Sequence, residues 1–492
     1  MMWIGALTLA AFLVIGRAAT KRPRSAPLMA FGLLLFVVSG IFHVAQFEAT
    51  AAFAAATATE IGIGSWLLAG MLSRHRQQAK PWFFIGGVAL IVSVALFAFG
   101  RVSESVRSTE WLLELGPDDS IEEVSDVLDR YDIHVERAFP TVDLSADEDL
   151  AQLWILRGKS RDLEVVTRIL AVDTENVDHL EANLVLQFLD DADLASPVIS
   201  RSAAILENDP LAGEQWGLDA IRGHEAHTQL RDASPVRKAR VAVLDTGVDG
   251  VHEDLGGIFE RSPASVDRHG HGSHVAGLAG AATNNGVGIA SLNWEGRFVE
   301  VSGYQALADN GSGSLEQIAQ AIVDATQDGV DIISMSLGAR VPTTPKIISD
   351  AVSFALANNV IVLASAGNAN EDAKDHIPSN VPGVIVVSAV DENLRKASFS
   401  NTNTSLSWPI TAPGVNMLSL KASGGYVQMS GTSMSTPVVS GLVGIMRSFQ
   451  PDLTAQEAYD ILASTGRSVK DSKSIGKLID ADAAISAVRN RQ

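Results

Sequence analysis

The sequence predicts an α/β chain in three parts. About four membrane-spanning helices are expected over residues 1–100, a small α+β unit over 108–190, and, after a linker at 191–207, a parallel sheet with helices on both faces over 208–492. Three observations lead there. Apolar runs crowd the first hundred residues. Strand-like and helix-like patterns then follow in the order βαββαβ. Beyond residue 208, short apolar runs alternate with amphipathic helices, as when strands are buried on both faces.

Composition narrows the function. A formal net charge of -20 leaves no basic surface of the size that nucleic acid needs. There is no cysteine, so disulfides, thiolate zinc sites and a cysteine nucleophile are excluded, although no compartment is identified by that.

The membrane segments are read at Met1 to Ile15, Leu28 to Phe47, Ala49 to Leu72 and Trp82 to Phe99, the second and fourth being close to the ~20 residues of a spanning helix. Arg17, Lys21, Arg22 and Arg24 fill the first connection, and Arg74, Arg76 and Lys80 the third; the second carries no Lys or Arg. Basic connections stay in the cytoplasm, so the chain is expected to leave the last helix on the outer side, periplasmic or extracellular. His43 and Glu60 lie within these runs. An ionisable group there can mark a proton path, but a helix end or mutual pairing is the plainer account.

In the α+β unit, strands are expected at Glu110 to Leu115, Ile133 to Phe139, Gln152 to Leu156 and Val177 to Phe188. Helices carry Ile121, Val124, Val127, Leu128 and Tyr131, then Leu163, Val166, Ile169 and Leu170, on single faces. This is the element order of a ferredoxin-like unit. In the last part, strands are expected at Val241 to Leu244, Phe298 to Val301, Ile332 to Met335, Val360 to Ala364 and Val384 to Val390. The helix between the second and third carries Leu315, Ile318, Ala319, Ile322 and Val323. Thr454 and Glu457 form a capping box that starts a final helix.

Three blocks carry chemistry. Ser433, in Gly431-Thr432-Ser433-Met434-Ser435-Thr436-Pro437, stands where a loop becomes a helix, a position that offers backbone N–H groups to an anion. A bare serine is a poor nucleophile and needs a base with an orienting acid. His271, in His269-Gly270-His271-Gly272-Ser273-His274, and Asp245, closing the run Arg240 to Leu244, supply the types required. These blocks, in the order Asp, His, Ser, resemble the subtilisin-like serine peptidases. An α/β-hydrolase would need the order Ser, acid, His.

The resemblance implies a serine endopeptidase acting on protein or peptide substrates. It implies Asn368 as an oxyanion donor beside the Ser433 N–H, substrate edges at Ser336-Leu337-Gly338 and Gly311-Ser312-Gly313, and pocket walls at Ala364, Ala366 and Gly367. Ser273 and Ser435 stand where the family more often has Thr and Ala, and Val301 to Leu307 matches it poorly. Thr283 to Ala290 resembles the family's calcium loop, which would give structural calcium ligands at Asp209, Asp254 and Asn285; a plain polar turn suits the same residues. A metal pair of His271 and His274 is conceivable, without a further block to complete it. Val177 to Asn183 resembles the closing strand of the family's inhibitor-like propeptide. Self-processing is then expected between Leu189 and Glu207, with Asn208 opening the mature domain. The competing class is a membrane sensor or scaffold that binds peptides on a peptidase fold without cutting them.

Overall fold

The computed structural model describes residues 110–187, 207–260 and 266–491. The apolar runs of residues 1–100, with His43 and Glu60, lie outside the described residues, as does most of the linker. No helix among the described residues is long and apolar enough to cross a membrane. Ser108–Gln492 forms one compact unit.

Its main sheet has seven parallel strands in the spatial order Lys477–Leu478, Pro409–Pro413, Ile385–Val390, Ile361–Ser365, Ile332–Met335, Ala239–Asp245 and Val299–Gln305. Five of these overlap the strands expected from the sequence. Two were not anticipated. Pro409–Pro413 begins and ends on proline, which argues against a buried strand when read alone, and Lys477–Leu478 is only 2 residues long.

Strand Ala239–Asp245 shows why helices cover both faces. Val241 and Val243 point into one apolar cluster with helices His271–Gly280 and Thr432–Phe449. Ala242 and Leu244, on the alternate positions, point into another with helices Leu315–Gln327 and Lys346–Ala357. Ser314 and Gln317 form a capping box on Leu315–Gln327, and Thr454 and Glu457 form the expected one on Ala455–Thr465.

The α+β unit has a four-stranded antiparallel sheet in the order His134–Arg137, Leu153–Arg157, Glu110–Leu115, Val177–Ala182, with helices Glu122–Arg130 and Ser160–Leu170. A further short helix, Glu148–Ala151, is capped by the Asp147 carboxylate accepting the Leu150 N–H. Leu113, Leu115 and Leu156 pack on the unit's own helices through Leu163 and Val166. Leu112, Leu153 and Ile155, facing the other way, join the cluster of helices Leu315–Gln327 and Lys346–Ala357. Two apolar faces on one sheet demand two covers, and the second cover belongs to the large sheet's helices.

The expected strand Val177 to Phe188 is broken in two. Asn183 donates its N–H to the Glu110 carbonyl, while its Oδ1 accepts the Glu316 N–H at 3.2 Å. Those bonds take the chain off the first sheet. The Leu184 carbonyl accepts the Leu315 N–H, and Val185–Gln187 pairs antiparallel with Ser312–Ser314.

Candidate active site

Asp245 ends its strand and is fully buried. Its two oxygens lie 2.8 and 2.9 Å from His271 Nδ1, and the Thr246 N–H donates to Oδ1 at 2.7 Å. A carboxylate against Nδ1 favours the tautomer with its proton there and makes Nε2 the basic nitrogen. So close an approach of helix to strand end requires glycine at 272. A Cβ there would lie 2.0 Å from the Gly247 carbonyl oxygen.

Asp267 organises the same corner. Buried itself, it accepts the Gly270 N–H at 2.8 Å, the Ser273 N–H at 2.8 Å and hydroxyl at 2.7 Å, and the Thr246 hydroxyl at 2.9 Å. One carboxylate thus fastens the start of the His271 helix to the residue after Asp245. The sequence reading did not single it out; an acid just ahead of a helix N-terminus was the available signal.

Ser433 is the second residue of helix Thr432–Phe449 and is 4% exposed. Pro437 stands four residues on and has no N–H for the Ser433 carbonyl. The Ser336 hydroxyl serves that carbonyl instead, at 2.7 Å, and the Ser433 hydroxyl donates to the Ser336 carbonyl at 3.3 Å. Ser336 follows strand Ile332–Met335, which lies beside Ala239–Asp245 with Leu244 opposite Met335. Asp245 and Ser336 are therefore neighbours at the carboxyl ends of adjacent strands. Ser433 and His271, held by them, reach the same sheet edge, and their two helices pack on each other.

Asn368 accepts the Thr432 N–H and hydroxyl through Oδ1, both at 2.9 Å. That fixes the amide with Nδ2 turned away from Thr432. The Ser433 N–H lies in the first turn of its helix, where backbone donors lack the usual carbonyl four residues back, and Asn368 stands beside that turn.

The expected substrate edges have distinct fates. A Cβ at Gly338 would lie 2.7 Å from the Ile377 carbonyl oxygen, so glycine permits Ala339–Arg340 to pair with His376–Ile377; Leu337 is buried and Ser336 serves Ser433. Gly313 faces Leu186 in the pairing just described, and Gly311 turns the chain before it with φ of +77°. That edge is occupied by the protein's own segment. Ala364 and Ala366 are buried, the first within strand Ile361–Ser365 and the second just past its end. Gly367 donates its N–H to the Thr432 hydroxyl at 3.1 Å.

The geometry bears on both metal readings. His274 is fully buried, with Nε2 3.0 Å from the Met417 carbonyl and 3.1 Å from that of Val427, so it joins two strands instead of sharing an ion with His271. The His269 ring stands 6.3 Å from that of His271. The three residues of the calcium expectation meet around the loop Thr283 to Ala290. Asp209 accepts the N–H groups of Asn284 and Asn285 at 2.7 and 3.0 Å. Asp254 accepts that of Ile289 at 2.9 Å and the Asn285 amide NH₂ at 3.4 Å. Asn285 Oδ1 is turned to the Val287 N–H at 2.8 Å. Calcium takes six to eight oxygens; each of these carboxylate oxygens accepts one of the hydrogen bonds just given, and a carboxylate oxygen carries a further lone pair.

Comparison with known proteins fits this geometry. Residues 237–478 match the subtilase family. Over 278 residues the chain is 34% identical to subtilisin DY of Bacillus licheniformis, covering 55% of this chain and 97% of that one. It is 41% identical over 216 residues to the thermophilic serine proteinase of Bacillus sp. strain AK1, covering 42% of this chain and 52% of that protein's length. A solved protease from Pseudoalteromonas arctica is similar with a TM-score of 0.51 and 27% identity, over 57% of this chain and 99% of that one. With Asp245 on His271, and Ser433 held by Ser336 at the neighbouring strand end, the chain belongs to the subtilase family of serine endopeptidases.

Proposed function

We propose that this protein is a membrane-held endopeptidase that processes itself and works on the outer side of the membrane. The observation that carries the catalytic reading is the double contact of Asp245 with His271, made at the sheet edge where Ser336 holds Ser433.

Ser433 Oγ attacks the peptide carbonyl carbon while His271 Nε2 takes its proton. The oxyanion that forms is met by the Ser433 N–H and Asn368 Nδ2. His271 then gives the proton to the leaving amine, and Asp245 stabilises the imidazolium throughout. Water hydrolyses the acyl-enzyme with the same groups in reverse order.

The α+β unit acts as an inhibitor-like propeptide. Its support is the strand Val185–Gln187, which lies on Ser312–Ser314 as an extended substrate would, using main-chain bonds that ignore side-chain identity. The cut follows in the linker, between Leu189 and Glu207. The apolar runs of residues 1–100 anchor the chain, with the basic connections inside.

A fluorophosphonate probe tests the core of the reading. The full chain should be labelled at Ser433, and Ser433→Ala should be unlabelled and inactive on unfolded protein. Wild-type cleavage by Ser433→Ala would overturn it. Mass spectrometry of the mature N-terminus tests self-processing, which would be abandoned if no new terminus arose between Leu189 and Trp216.

A further inference from the structure

Glu207, His224 and His227 form a second cluster of titratable side chains, away from the sheet edge that holds Ser433. Glu207 lies at the end of the linker, and the two histidines sit three residues apart on helix Gly223–Arg231, hence on one face. Their ligand atoms, one carboxylate oxygen and two ring nitrogens, lie within 4.8 Å of one another.

One outward hydrogen bond and one outward contact orient the two rings. His227 Nε2 stands 2.7 Å from the Ser291 carbonyl oxygen, an acceptor, so this nitrogen carries the proton. His224 Nε2 stands 3.4 Å from Asp219 Oδ1, also an acceptor. His227 Nδ1 then turns a lone pair toward Glu207 Oε1, and His224 Nδ1 faces the same oxygen. His224 Nδ1 is 2.8 Å away, and His227 Nδ1 is in direct contact. Donor atoms converging in this way in a buried place need either a shared proton or a metal cation between them. The side chains of Glu207 and His227 are completely buried, and that of His224 is 21% exposed, which leaves a path from solvent.

We propose that Glu207, His224 and His227 bind one divalent transition-metal ion of the zinc class. The ion clamps the start of the catalytic domain to helix Gly223–Arg231. Two imidazoles and a carboxylate suit zinc at ~2.0–2.1 Å per bond, with water in the fourth position. A carbonyl on one imidazole N–H and a carboxylate on the other are the outer partners that metal-ligating histidines usually have. The ion's place is structural: it holds Glu207, next to Asn208 and Asp209, whose side chains accept the N–H groups of Gly286, Asn284 and Asn285.

The test uses the untagged full chain carrying Ser433→Ala, which blocks self-digestion, after treatment with a chelator. Cobalt(II) is titrated while its visible absorption is followed, and zinc is then added in competition. One equivalent of cobalt should give a tetrahedral spectrum that zinc abolishes, and zinc should raise the melting temperature. His224→Asn, at a partly exposed position, and the isosteric Glu207→Gln should each weaken binding at least about tenfold, judging from what even outer partners of a metal contribute. His134→Asn should change nothing. Circular dichroism checks that each variant is folded. Absence of a cobalt spectrum, or binding unaffected by both variants, would overturn the proposal and leave a proton-sharing triad.

Discussion

Glu181 in the last strand of the α+β sheet accepts the backbone N–H of Lys346 through Oε2, at 3.0 Å, and that of Ile347 through Oε1, at 3.0 Å. Helix Lys346–Ala357 follows Pro345, which has no side chain able to cap it. The orphaned donors of this helix are thus capped from another layer of the fold, and the carboxylate lies at the positive end of the helix dipole.

Removing that cap should loosen the docked unit locally. In Glu181→Ala, on a Ser433→Ala background, hydrogen exchange at the Lys346 and Ile347 amides should accelerate about tenfold to a hundredfold, the equivalent of ~1.5 to 3 kcal/mol for bonds to a charged group. Unchanged protection would mean that water or another side chain serves those amides equally well.

Glu114 gives the same interface a pH dependence. Buried, and 2.9 Å from Lys346 Nζ, its carboxyl is pushed by burial up to about 7 from 4.5, against the pull of the lysine. Burial pushes Asp350, also paired with Lys346, up to about 6. The folded, docked chain therefore binds more protons than the unfolded one across this interval. The contribution is complete below about 4.5 and is lost as pH rises through about 7. Urea unfolding of the Ser433→Ala chain should show stability falling between about pH 5 and about pH 8, with a flatter profile in Glu114→Gln. Parallel profiles for the two chains would place the titration elsewhere.

Asn368→Leu keeps the side-chain size but removes the amide. The measured kcat should fall about 100- to 1000-fold, or ~2.7 to 4 kcal/mol, with KM little changed, since the oxyanion exists only beyond the ground state. A fall confined to KM would make Asn368 a substrate-binding group instead.

Ser336→Ala takes away the donor that serves the carbonyl left open by Pro437. A buried acceptor without a partner costs ~1 to 3 kcal/mol, to be read as a lower urea midpoint at constant m-value. An unaltered midpoint would show that the carbonyl finds another donor.

How much could be read in advance depended on how far apart the cooperating residues lie. Asp245, His271, Ser433 and Asn368 each sit in a contiguous block, and five strands of the large sheet are short, mainly apolar runs, so short windows were enough. Pro409–Pro413 was hidden because its prolines contradict its burial. The break at Asn183 was hidden because its partners include Glu316, 133 residues away. Ser336 and Ser433 are separated by 97 positions, and Glu181 and Lys346 by 165. At Asn285 residue type shows which oxygen exists, but only packing decides that the amide faces Asp254 and Val287.

By itself the sequence determined the kinds of element, the alternation that buries strands on both faces, and the presence of a nucleophile, a base and an acid in a fixed order. Those are local properties, set by side-chain period and backbone preference. Only the tertiary structure decided that Asp245 and Ser336 end adjacent strands, that the α+β sheet lends its second face to helices of the large sheet, and that Glu207, His224 and His227 converge. Contacts of that kind arise when apolar faces are buried against one another, and the register of the packing, which no short window contains, fixes which polar groups meet.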